Sequence, residues 1–143
     1  MADSSAVDAA IVAKLAGDAP LMALLPDGVY FDLAPEGASA FVLVAQLAHH
    51  DEPMFGGETA WEEFTYLVKA VAPGPSGDVV KQAAARIHDV LQHAQLMPVG
   101  YVDMHCARVE RPREQEIDDI NEARWNHRGG HYEVWVTPAP VGE

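Results

Sequence analysis

The stretch Val79-Val-Lys-Gln-Ala-Ala-Ala-Arg-Ile-His-Asp-Val-Leu-Gln-His-Ala-Gln95 decides the fold. Val80, Ala83, Ala84, Ile87, Leu91 and Ala94 recur at three-and-four spacing, which predicts a helix from Val79 to about Gln95 with a single buried stripe. Ser76 or Asp78 is the expected cap. A helix with one apolar stripe must lie on something, and the flanking segments supply a sheet. Thr59 to Ala72 is rich in aromatic and β-branched residues and reads as a long strand, stopped by Pro73-Gly-Pro75. Phe41-Val-Leu-Val44 is apolar on both faces, as a strand in a sheet interior is. Val29-Tyr-Phe31, Val99 to Glu110, and Tyr132 to Thr137 read as further strands.

Upstream, Ser5 with Asp8 three residues on, followed by Val7, Ile11 and Leu15, reads as a capped amphipathic helix ended by Gly17. Asp18-Ala-Pro20 restarts a short helical turn that faces Leu21, Leu24 and Leu25 inward, and Pro26-Asp-Gly28 is a turn. The expected class is therefore α+β. A mostly antiparallel sheet of about four to five strands is packed by the long helix and the N-terminal helix. The polar residues 49–58 read as a loop. Residues 111–130 carry nine charged side chains, too many for a core, and form a polar arm that would be a strand extension, a short helix or a mobile loop.

The 143 residues form one domain, residues 1–143, because folding units usually run ~100–150 residues. A 49% hydrophobic content suits a chain that buries a core. Nine basic residues against 22 acidic ones give a formal charge of −13, which would repel nucleic-acid phosphates, so a general DNA or RNA binder is not expected. Residues 1–80 hold two basic and 12 acidic side chains, so the N-terminal part is the more acidic. The N-terminus has no basic residue before Lys14, and the longest apolar run, Ala40 to Ala45, is far short of the ~20 residues of a membrane span. A soluble, unprocessed protein is the expectation.

Few residues suggest chemistry. His127 and His131 have H-x3-H spacing, and with His105 they would make a metal-dependent hydrolase the alternative from another functional class. Gly129-Gly130 lie between them, so no helix holds them on one face. Cys106 is the only cysteine, which excludes an intrachain disulfide and a four-cysteine zinc site. It alternates with Val102 and Met104, so it packs as a small apolar residue and does not act as a nucleophile. Gly74-Pro-Ser-Gly-Asp78 opens a helix but lacks the lysine and spacing of a phosphate loop. A plain ligand-binding module would need a deep apolar pocket. No metal, cofactor or catalytic residue is assigned.

The order of elements, with several segments, resembles the phage tail terminator or tail completion proteins of long-tailed phages and prophages. The carrying segments are Leu15-Ala-Gly-Asp18, Leu24-Leu25, Gly28-Val-Tyr30, Ala34-Pro-Glu-Gly37, Phe41-Val-Leu-Val44, Tyr66-Leu-Val-Lys-Ala-Val71 and Ala83-Ala-Ala-Arg-Ile-His-Asp-Val-Leu91. They lie within about Ala6 to Pro138. Where that family often has a proline before the second strand's aromatic residue, this chain has Ala40.

The resemblance implies a virion protein without enzymatic activity, assembled in the host cytoplasm. It would form a homo-oligomeric ring, typically a hexamer, that caps the tail tube, ends tail polymerisation and offers a docking surface to the head connector. Its partners would be itself, the major tail tube protein, and the head-tail connector or stopper. DNA would pass through its channel without specific binding. A head completion protein or stopper is the neighbouring alternative. Met54, Phe55 and Trp125 are the candidate assembly contacts, as apolar anchors of the kind that dominate interfaces. Asp51, Glu52, Glu58, Glu62 and Glu63 are the candidate lumen acids. Six copies, each at −13, would carry −78.

Overall fold

The computed structural model describes residues 5–53, 59–74, 77–94, 96, 98, 100–110, 113–118 and 123–138. The chain runs α1 (Ser5–Ala16), α2 (Ala19–Leu24), β1 (Val29–Phe31), β2 (Phe41–Pro53), β3 (Thr59–Pro73), α3 (Asp78–Leu91), β4 (Tyr101–Glu110), β5 (Arg113–Asp118) and β6 (Ala123–Pro138). The strands order as β1-β2-β3-β6-β4, with β5 also on β6. Six strands therefore fill five columns, because β4 and β5 follow one another along the same side of β6. Among the described strands only the β1–β2 pair is parallel. The class is α+β with a mostly antiparallel sheet.

All three helices cover one face. Val7, Ile11 and Leu15 of α1, Leu21 of α2, and Val80, Ala83, Ile87 and Leu91 of α3 form one core with Val42, Val44, Phe64, Tyr66, Val68, Ala70, Met104, Cys106, Tyr132, Val134 and Val136. On β3 these are the even-numbered residues, as the two-residue period of a strand requires. The Tyr66 hydroxyl donates to the Asp8 carboxylate, pinning α1 over the centre of β3. Asp18 does two jobs. It accepts from the Leu21 N–H at 3.1 Å as the N-cap of α2. It also takes both Nε and Nη2 of Arg86 in α3, at 2.8 and 2.6 Å.

Several boundaries differ from the sequence reading. The long helix is capped by Gly77 without a side-chain bond, and Asp78 is its first residue. It stops at Leu91, because His93 adopts a left-handed φ of 58° and donates its N–H to the Cys106 carbonyl of β4 at 2.7 Å. His49–Pro53, expected in a loop, continue β2 and pair with Thr59–Phe64 of β3. Residues 113–118 and 123–130 take the strand-extension form, a hairpin continuing the β4 column.

The parallel β1–β2 pair has a connection of nine residues, 32–40, where such crossovers usually need about a dozen or more. Asp27 closes it. One carboxylate oxygen accepts from the N–H of Ala40, the N–H of Ser39 and the Ser39 hydroxyl, at 2.9, 2.8 and 3.0 Å. These bonds hold its pKa below the ordinary carboxylate value.

Candidate functional site

Among the described residues no helix covers the opposite face of the sheet. By register this face carries Phe41, Leu43 and Ala45 of β2, the odd-numbered residues of β3, and Trp125, His127, His131, Glu133 and Trp135 of β6. A register shift between Gln46 and Ala48 inserts Leu47 as an extra residue in β2, and this bulge reverses the alternation that put the even-numbered β2 residues on the helix side. His49 therefore reaches the helix-covered side. Its ring stacks flat on Phe64, with centroids 4.2 Å apart and planes at 7°, and its Nε2 lies 3.0 Å from Glu62 Oε1.

Glu62 and Glu63 are neighbours on β3 and so point to opposite faces. Glu62 is bonded to His49 on the helix side, whereas Glu63 Oε1 accepts from the Trp61 indole Nε1 at 3.1 Å on the uncovered side. They do not form one acidic wall. Asp51 and Glu52 occupy β2 positions opposite Glu62 and Trp61. Met54, Phe55 and Glu58 lie outside the described residues. Trp125 is half-buried on the uncovered face, opposite Pro73 at the far end of β3 from Trp61.

The histidines of the hydrolase alternative do not converge. His105 pairs with Trp135, which is four residues along β6 from His131 and eight from His127. At ~3.3 Å per residue those separations are roughly 13 and 26 Å. Among the described residues no group of three His, Cys, Asp or Glu side chains is placed to hold a metal ion. Cys106 is fully buried on the helix side, and burial pushes its thiol up to about 12, the opposite of what a nucleophile needs. The cleft lined by Lys14, Gly17, Asp18, Arg86 and Asp89 is open and charged, so it is not a deep apolar pocket. Among the described residues no helix is long and apolar enough to cross a membrane.

Sequence reasoning misses two residues of the uncovered face, Trp61 and Trp135. Trp61 is 42% exposed, and Trp135 stands directly across from Glu63. A signal for them exists: in strands whose even positions already supply the core, large apolar residues at odd positions mark a second apolar face.

No protein-family profile matches the sequence, and no curated protein does. Solved structures match over nearly the whole chain. A chain from the virion of a native gene transfer agent particle aligns over 94% of this chain and 96% of its own, at 20% identity and a TM-score of 0.73. A second solved chain aligns over 98% of this one and 99% of its own, at 15% identity and a TM-score of 0.66. These likenesses establish a shared fold.

Proposed function

We propose that the chain is a structural subunit of a phage-like virion and, within it, the tail terminator. In this reading it self-associates into a ring, caps the tail tube, ends tube polymerisation and offers a surface to the head connector or stopper. The observation that carries the reading is the end-to-end likeness to a chain of a gene transfer agent virion. A protein of this kind needs no reacting group.

The topology suits a ring. A head-to-tail ring joins two different patches of each subunit, and this sheet has two different open edges. Beyond Val44 the outer side of β2 has no strand partner among the described residues, and neither has the outer side of the β4–β5 column. Register shifts at Gln46/Ala48 and at Arg108/Glu110 interrupt both edges, and such bulges disfavour simple strand addition. Ring contacts would then come from side chains around the 49–58 and 111–130 segments, with Met54, Phe55 and Trp125 as anchors. The partners would be further copies, the tail tube protein and the connector, with DNA passing through unbound.

Native mass spectrometry of the purified protein, with and without zinc, tests this reading. A metal-free hexamer is the expected result. A monomer or dimer that binds stoichiometric zinc would overturn it in favour of the hydrolase. A metal-free monomer moves the test to purified tail tubes, where the chain must cap the tube ends and block further growth.

A further inference from the structure

Trp61, Glu63 and Trp135 stand together on the uncovered face, near the Pro53–Thr59 end of the β2–β3 hairpin. Glu63 lies two residues from Trp61 on β3 and directly across from Trp135 on β6, so the three side chains share one face. Trp61 is 42% exposed, yet its indole nitrogen is held by Glu63 Oε1 at 3.1 Å. That bond orients the ring and uses only one carboxylate oxygen. On the far side of Trp135 lies the His105 ring, with centroids 5.9 Å apart, which limits its freedom.

Two indoles beside a carboxylate match the chemistry of a planar cation. A guanidinium stacks on an indole face and hydrogen-bonds a carboxylate edge at once, whereas an ammonium is a compact, strongly hydrated charge without that planar fit. The surroundings favour a cation too. Residues 49–63 carry five acidic side chains and no lysine or arginine, within a chain of formal charge −13. We propose that Trp61, Glu63 and Trp135 form a docking site for an arginine side chain presented by a partner protein other than this chain. This assignment goes beyond the ring and does not depend on it.

The test is a titration followed by the indole N–H signals of the three tryptophans in a proton–nitrogen correlation spectrum. The probe is N-acetylarginine amide, and its neutral isostere N-acetylcitrulline amide is the control. The arginine probe should shift the Trp61 and Trp135 signals saturably and leave Trp125, at the other end of the face, in place. Glu63→Gln should weaken the response about fivefold or more, and Trp61→Leu should remove the shift at Trp135. The proposal is overturned by the absence of any shift, by equal shifts with citrulline, by an equal shift at Trp125, or by an unchanged Glu63→Gln titration. Sedimentation of the same variants checks the source of the arginine. If Glu63→Gln dissociates a self-associated species that the wild type forms, the arginine belongs to a second copy and the partner assignment is wrong.

Discussion

Gly129 sits where β6 passes β3 so closely that a Cβ would lie 2.1 Å from the Val68 carbonyl oxygen and 2.5 Å from Lys69 Cα. The obstruction is backbone, which cannot swing aside as the end of a long side chain can. Gly129→Ala should therefore destabilise the fold by about 3 kcal/mol, at the upper end of ordinary overpacking. A urea titration should show a lower midpoint with an unchanged slope. Asp27 supports a different prediction, because its value lies in charge. Its folded pKa is depressed first by the Ala40 N–H and then by the Ser39 N–H and hydroxyl. The clasp therefore contributes fully above the ordinary value of 3.8 and is lost as pH falls through the depressed folded value. Asp27→Ala should lower the melting temperature at pH 7, and the gap from wild type should narrow steadily as the pH is taken below 3.8. A constant gap would mean that the loop geometry, not the carboxylate, closes the crossover. Cys106, buried with its thiol pushed up to about 12, should stay unreactive toward a thiol reagent at neutral pH until denaturant is added.

The β2–β3 hairpin separates two acids that look interchangeable in sequence. Glu62→Lys would place an ammonium beside His49 on the helix side, whereas Glu63→Lys would release the Trp61 indole on the uncovered side. Under the ring reading only one sheet face can line the channel, so only one of the two reversals should slow DNA release from assembled particles. Equal slowing would show that the channel is not lined by a single face. That split follows from strand alternation alone and is legible in the sequence, as are the stripes of α1 and α3 and the alternation of Met104 with Cys106. The extension of β2 through His49–Pro53 is not. Polar residues there gain nothing from burial, and they stay in the ladder because backbone pairing with β3 satisfies them. Arg113–Asp118 of β5 follow the same logic against β6. The Leu47 bulge and the His93 left-handed stop are single-residue backbone choices that carry no compositional mark. The pairing of β1 parallel to β2 depends on Asp27 reaching residues 39 and 40, a contact that no local pattern announces.

At the scale of the whole molecule, sheet geometry invites association while net charge opposes it. Each chain carries −13, and a ring of six would bring −78 together. Like charges on neighbouring copies repel over a distance set by salt, about 30 Å at 0.01 M and about 10 Å at 0.1 M. If apolar anchors of the 49–58 and 111–130 segments hold copies together, screening should favour assembly. The oligomeric fraction, measured by sedimentation at fixed protein concentration, should then rise as sodium chloride is raised from about 10 to 300 mM. Docking of an arginine on Trp61, Glu63 and Trp135 should respond in the opposite direction, because there salt weakens an attraction. Measuring both on one preparation separates the two kinds of contact. Self-association that falls with salt would show that opposite charges, not apolar side chains, join the subunits, and the ring contacts would then have to be sought between the acidic β2–β3 hairpin and the arginines of residues 108–128.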